Sequence, residues 1–343
     1  MDRKKLGFGI IGTGAIASHH AKSIQELEDC KLIAVCSSTP ERAKVASEKF
    51  GVPAYSNLEE FLLRDDLDII SVCTESGRHM EPILAAAMAG KHVIVEKPLE
   101  VTVERASRII AVCRAQNVKL GVIFQNRFNP AYLRLKQAVH QGALGKLILG
   151  NAYIKWYRDE AYYKTSDWKG TLTGDGGAAL INQGIHTIDL LLDIMGDVES
   201  VFGKVKTMVH DIEGEDIGIA MLDFKNGAMG TIEGGTSLYP GYKDRLEIFG
   251  ENGSIIYEGG EIVSWNLKGC EATTKKTDEI SSSGASDPMS VDYRLHLAQL
   301  KEMVLAVRND RDPEVNGESA LKSLELISAI YKSSKEKQII ELK

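Results

Sequence analysis

The first 124 residues alternate short, almost uninterrupted apolar runs with amphipathic helical stretches, and this alternation restricts the fold more than any other feature of the chain. The runs are 6–11, 31–36, 69–73, 92–95 and 119–124. Between them, residues 41–50 carry Ala43, Ala46 and Phe50 on one side, and residues 79–89 end at Gly90, where a helix C-cap takes glycine. A strand that is apolar at nearly every position has both faces covered, and strands separated by helices run parallel. The expected architecture is α/β, a doubly wound parallel sheet.

The turn after the first run strengthens this reading. Gly12, Gly14 and Ala17 stand in G-x-G-x-x-A spacing, directly after a strand and at the start of a helical pattern. Gly12 suits the tight turn, Gly14 lets the backbone approach a pyrophosphate, and Ala17 permits close helix–strand packing. The helix N-terminus then offers N–H groups to the anion. The second strand ends in Ser37-Ser38-Thr39, with no acidic residue before Glu41, which follows Pro40. An acidic residue near this point would bind the ribose 2′-hydroxyl of NAD. Small hydroxyls beside Arg42 suit a 2′-phosphate, so NADP is slightly favoured, although Arg42 also suits a solvated helix position.

After Phe124 the texture changes. Residues 129–141 read as a helix, followed by aromatic and glycine-rich segments at 151–163 and 173–180. A helix is expected over 181–195, with Ile185, Ile188, Leu192 and Met195 on one face. Period-2 runs follow at 201–209, 217–224, 228–235, 245–250 and 253–259, with turn signals at Asn226-Gly227 and Asn252-Gly253. They predict a large, mostly antiparallel open sheet with one face available for packing. Residues 273–288 are polar and Ser-rich, an expected surface loop, and helices are expected over 291–307 and 318–335. The predicted division is 1–124 as a Rossmann dinucleotide-binding domain and 125–343 as a substrate-binding and oligomerisation domain.

Bulk properties exclude several classes. The 343 residues are 43% hydrophobic and carry a net charge of −7, which argues against nucleic acid or an anionic membrane as the main partner. No stretch approaches the apolar length of a membrane span, and the N-terminus lacks a cleavage signal. The five cysteines form no CxxC pair and read as buried free thiols in a reducing, cytoplasmic setting. The eight histidines show no HxH or HExxH spacing, and the carboxylates do not cluster with them in sequence, so no metal site is expected. His19 and His20, early in the first helix, read as structural.

Lys97 stands at the carboxyl end of the run 92–95, where ligands of open α/β sheets bind, and Pro98 biases it away from helix. By itself this placement also suits a surface lysine, and His186 by itself also suits a helix histidine satisfied by a backbone carbonyl. Taken in order, the segments 9–17, 34–43, 72–79, 96–98, 124–128, 182–191 and 313–334 resemble the glucose–fructose oxidoreductase / inositol dehydrogenase (Gfo/Idh/MocA) family over nearly the whole chain.

The resemblance implies that Lys97 contacts the nicotinamide ribose and the substrate hydroxyl, that Lys97–Pro98 is a cis bond, and that His186 is the general acid/base. Inositol dehydrogenases carry an aspartate four residues before that histidine, whereas this chain has Asn182. An amide orients a hydroxyl but cannot take its proton, so the base role falls on His186, with Asp189 as its expected support. The cofactor residues so implied are Gly12, Thr13, Gly14, Ala15, Ile16, Ser37, Ser38, Arg42, Cys73, Thr74, His79, Glu96 and Lys97, with NAD or NADP as cofactor. The substrate residues are Asn126, Arg127, Tyr157, Trp168, Asp175, Asn182 and His186. Tyr163 suits ring stacking or core packing, and Asp175 also suits a turn. Arg127, Arg158 and Lys164 suit a phosphate. The expected activity is hydride transfer between a nicotinamide and a secondary alcohol or ketone of a sugar, cyclitol or sugar derivative. Alternatives are an NAD-dependent glycoside hydrolase on the same fold and a non-catalytic dinucleotide sensor. A homo-oligomer, dimer or tetramer, is expected through the second domain.

Overall fold

The computed structural model describes residues 5–270 and 292–342. In chain order they form β1 (Leu6–Ile11), α1 (Ala17–Glu26), β2 (Cys30–Cys36), α2 (Pro40–Phe50), β3 (Ala54–Tyr55), α3 (Leu58–Leu62), β4 (Ile69–Val72), α4 (Met80–Met88), β5 (His92–Val95), α5 (Val103–Ala115) and β6 (Leu120–Val122). Next come α6 (Pro130–His140), β7 (Leu147–Lys155), α7 (Glu160–Lys164), a π-helical turn (Ala179–Gly184) and α8 (Ile185–Met195). The strands β8 (Val198–Lys206), β9 (Ile217–Phe224), β10 (Met229–Gly235), β11 (Arg245–Gly250), β12 (Gly253–Glu258) and β13 (Glu261–Leu267) follow. Last are α9 (Tyr293–Arg308), α10 (Gly317–Glu336) and β14 (Ile340–Glu341).

The chain divides into two units, Met1–Gln125 with Tyr293–Leu321, and Asn126–Asp292 with Lys322–Lys343. A single division at 124/125 therefore leaves out the return of α9 to the first unit. In that unit six parallel strands take the order β3-β2-β1-β4-β5-β6, the doubly wound topology expected from the alternation. Local chemistry sets the helix ends. Thr39 accepts the Arg42 N–H at the start of α2, which has Pro40 in its first turn, and Gly51 closes the helix at φ 68°. Phe8, Ile10, Val35, Ile69 and Ile94 are fully buried in the sheet, and Leu300, Met303 and Val304 of α9 join the same core. The Gln299 amide accepts from Phe124 N and donates to Val122 O, so α9 also covers the polar edge beside β6.

The second unit holds an eight-stranded sheet, order β13-β12-β11-β7-β10-β9-β8-β14, antiparallel except for the β7–β10 pair. Burial alternates along β9, with Ala220, Leu222 and Phe224 inside and Ile219 and Met221 exposed. The inner face carries α8; a Cβ on Gly150 would come within 2.7 Å of the Met195 sulfur, so glycine permits this close approach. Three strands escape the period-2 reading: β13, the two-residue β14, and β7 at the centre of the sheet, whose Gly150-Asn151 interrupts the apolar run. The helix expected over 181–195 begins instead as a π-helical turn before α8. The loop expected at 273–288 lies outside the described residues. Among the described residues, no helix is long and apolar enough to cross a membrane.

Candidate active site

The first unit gathers its chemistry at the carboxyl ends of its strands. Gly12, just past β1, has φ +88°, and a Cβ there would lie 2.6 Å from the Cys73 carbonyl. Only glycine allows the β1 turn to lie against the end of β4. Gly14 has nothing within 4 Å of a Cβ position, so its backbone is open to a close-approaching group. The residue before α1, Ile16, makes no side-chain cap, so the helix N-terminus has no side-chain acceptor of its own. Thr13 and Ser37 share a hydrogen bond of 3.0 Å, and Arg42 Nη1 donates to Ser38 Oγ at 3.2 Å. Gly12, Thr13, Gly14, Ala15, Ile16, Ser37, Ser38 and Arg42 thus belong to one neighbourhood, a cradle that fits a dinucleotide. Cys73 and Thr74 border it through their backbone, and burial pushes the Cys73 thiol far above its usual range.

His79 does not fit the cofactor role expected of it. Its ring is fully buried, with Nδ1 2.9 Å from Pro98 O and Nε2 3.2 Å from Thr74 O. The ring lies between two backbone carbonyls and its N–H donates to one of them, so the residue braces the loops after β4 and β5.

Lys97 follows β5, half-buried, and its bond to Pro98 is cis. Its neighbour Glu96 is 8% exposed and makes three contacts. Glu96 Oε2 accepts the Lys97 peptide N–H at 3.3 Å, while Oε1 faces His20 Nε2 at 2.9 Å and His296 Nε2 at 3.5 Å. Burial would raise the Glu96 carboxyl, but hydrogen bonds from the two imidazoles outweigh it and hold the group well below the ordinary carboxylate range. Burial lowers His296. This cluster corrects the expectation that carboxylates stay apart from histidines. The three donor atoms lie within 4.8 Å of one another, and the residues are too far apart in the chain for any spacing motif to reveal them.

In the second unit the π-helical turn carries Asn182 and leads into α8, where His186 is half-buried. Asn182 Nδ2 donates to Asp175 Oδ1, and its Oδ1 accepts from Gln183 Nε2 at 2.7 Å. Asp175 Oδ2 accepts the Gly170 N–H at 2.9 Å, and Gln183 Oε1 takes Arg158 Nε and Nη2 at 3.1 and 2.8 Å. Asp175 and Asn182, expected as separate substrate contacts, are therefore bonded to each other. Arg158, read as a phosphate contact, is 3% exposed and donates to Gln183 and to Tyr157 O. Gln183 and Tyr162, which share a 2.8 Å hydrogen bond, were not singled out by sequence. Trp168 is half-buried against Gly174, and Tyr157 stacks edge-on with Tyr239 at 5.2 Å. Tyr163 is buried with its hydroxyl 2.7 Å from Thr236, a core position, and exposed Lys164 faces Glu160 at 3.6 Å.

Arg127 corrects a second expectation. Its guanidinium forks onto buried Asp189 at 2.6 and 2.7 Å and reaches half-buried Asp193 at 3.1 Å. It holds α8 and is not available as a substrate contact. The same geometry takes Asp189 from its expected role behind His186, because its oxygens are used by Arg127 and by Ser323 Oγ at 3.1 Å. Asn126, its neighbour, keeps a buried Oδ1 with no hydrogen-bond partner among the described residues.

Comparison with known proteins matches this architecture over both units. The model of the oxidoreductase family with an NAD-binding Rossmann fold matches residues 6–124, and that of the GFO/IDH/MocA C-terminal domain matches residues 132–256. Myo-inositol 2-dehydrogenase of Thermotoga maritima is 30% identical, covering 98% of each chain. The NADP(+)-dependent scyllo-inositol 2-dehydrogenase of Bacillus subtilis is 26% identical, over 97% of this chain and 95% of that one. The crystal structure of the WlbA dehydrogenase from Bordetella pertussis, in complex with NADH and UDP-GlcNAcA, aligns with a TM-score of 0.88 at 30% identity, covering 99% of each chain. The chain therefore belongs to the GFO/IDH/MocA family of oxidoreductases, and within it to the NAD(P)-dependent dehydrogenases.

Proposed function

We propose that the protein interconverts a secondary alcohol and a ketone on a sugar, cyclitol or sugar derivative, with Lys97 and His186 as its catalytic pair. The observation that carries this reading is the glycine cradle at Gly12 and Gly14, which follows β1 of the same sheet whose β5 is followed by Lys97. When bound, the nicotinamide supplies a two-electron acceptor or donor. The chain's own residues do the rest. A lysine ammonium stabilises the developing alkoxide, and His186 takes the hydroxyl proton at neutral pH. Asn182, fixed by Asp175 and Gln183, orients the substrate hydroxyl. The unpartnered Asn126 carbonyl adds a buried acceptor for a substrate hydroxyl.

Arg42 on Ser38, with no carboxylate at the end of β2, favours NADP. Named relatives that act on inositols, and one bound to a nucleotide sugar, support the substrate class. The outer face of the open sheet, with Phe202, Ile219, Met221 and Met229 exposed on β8, β9 and β10, supports self-association through the second unit. Four buried free cysteines suit a reducing, cytoplasmic setting.

A screen of sugars, cyclitols and nucleotide sugars with NAD and NADP, read by the near-ultraviolet absorbance of the reduced cofactor, tests the reading. With the best substrate, Lys97→Ala and His186→Ala each lower turnover by roughly 10²-fold or more. Wild-type turnover in either variant removes that residue from the pair. Glycoside cleavage without net cofactor reduction would point instead to a hydrolase.

A further inference from the structure

We infer that Glu96 is a positioning residue for Lys97, its carboxylate clamped by His20 and His296. The inference rests on the reading of Lys97 as catalytic. Four elements of the first unit contribute to the network around this side chain, β4 through His20. His20 comes from α1, the helix that opens at the glycine cradle; Ser71 comes from β4; Glu96 follows β5; and His296 comes from α9.

The donors and acceptors form a directed chain. Ser71 Oγ lies 2.7 Å from His20 Nδ1, so the hydroxyl donates there and the Nε2–H donates to Glu96 Oε1 at 2.9 Å. His296 supplies a second N–H to the same oxygen, and the Lys97 peptide N–H takes the other oxygen. Burying a carboxylate this deeply is unfavourable unless charge-assisted donors surround it, and these three donors meet that need.

With both oxygens engaged from opposite sides, the carboxylate has one orientation, and so has the peptide that carries Lys97. His20 ties that peptide to the helix whose N-terminus faces the dinucleotide. The clamp therefore sets the register between the cofactor cradle and the lysine. Misplacement of a reacting group by about 1 Å costs on the order of 10²-fold in rate.

The test uses the full-length protein and has a readout that needs no substrate. In Glu96→Gln the single amide oxygen turns to the two imidazoles, leaving an NH2 against the Lys97 peptide N–H. Hydrogen exchange resolved at the Lys97 amide should accelerate about tenfold or more while residues 93–95 of β5 keep their protection. Unchanged exchange at Lys97 overturns the inference. In turnover with the best substrate of the screen, kcat should fall about tenfold with KM for the dinucleotide within about twofold.

Lys97→Ala measured beside it separates the two ideas. If Lys97→Ala is inactive and Glu96→Gln keeps wild-type kcat, the clamp fails alone; if Lys97→Ala stays active, the reading of the lysine fails first. Should Glu96→Gln not fold, His296→Leu and His296→Gln replace it. The amide of Gln reaches where Nε2 stood and should restore most of the turnover lost in the Leu variant, whereas equal loss in both overturns the clamp. A stoichiometric metal in the purified wild type that is absent from His296→Leu also overturns it, in favour of a metal centre.

Discussion

In the parallel sheet β1, β4, β5 and β6 are buried at nearly every position, whereas along β9 of the open sheet buried and exposed residues alternate. The first sheet has helices on both faces; the second presents one face outward with large apolar side chains on it. The contrast bears on function. A sheet covered on both sides leaves only its strand ends for chemistry, and there Gly12, Ser37, Cys73 and Lys97 all stand. A sheet with an uncovered side keeps a broad surface for another molecule while its inner face holds α8 and His186.

The two sheets should respond differently to substitution, most sharply at their turns. Gly12→Ala places a methyl group 2.6 Å from the Cys73 backbone at a φ of +88°, where neither neighbour can yield. The expected loss is about 4 kcal/mol or more, at the severe end for a single change, together with dinucleotide binding. Urea unfolding and titration with NADH measure both, and a stable variant that still binds would show that the cradle is looser than its backbone contacts indicate.

Buried charge reverses the apparent tolerance of the second unit. Arg127→Ala leaves Asp189 buried with, among the described residues, Ser323 to bond it, and breaking such a pair costs about 3–5 kcal/mol. A loss below about 1 kcal/mol would mean that Asp189 takes a proton and stays neutral. Burial already raises its carboxyl above the ordinary range despite the guanidinium beside it.

Hairpins of the open sheet should be milder. Gly227, in the turn between β9 and β10, has φ +83° but nothing within 4 Å of a Cβ. Gly227→Ala should cost only the left-handed strain, about 1–2 kcal/mol, without altering cofactor binding. A loss as large as that of Gly12→Ala would end the distinction between a turn that packs and one that does not.

The same contrast explains what the sequence revealed. Strands covered on both faces announce themselves as apolar runs, and all five runs of the first unit coincide with strands. The short edge strand β3 gave no such signal. In the open sheet β9 and β10 followed the period, but β7, central and interrupted by Gly150-Asn151, was legible only as an aromatic segment. Among site residues, the glycine turn was readable because its chemistry is local. The partners of Arg127, Asn182 and Glu96 were not, because Asp193, Asp175 and His296 reach them only through tertiary packing. Arg127 and His79 looked like ligand contacts for the same reason: a polar residue in a loop after a strand reads alike whether it faces solvent or closes a buried network.

The smallest stability effect is expected on the outer face of the open sheet, where it separates folding from assembly. Met221 is 56% exposed on β9 and stands opposite Phe202 of β8, which is also exposed. Its chain neighbours Ala220 and Leu222 point inward, so a change at Met221 leaves the core untouched. Met221→Lys should alter monomer stability by no more than about 0.5 kcal/mol, because a long charged side chain at an exposed strand position keeps its head in water. If copies of this chain associate through that face, the same lysine buries an unpaired charge in the contact and shifts sedimentation toward the monomer. A variant that sediments as the wild type does, at equal stability, would place self-association elsewhere and leave the apolar face of β8, β9 and β10 as surface alone.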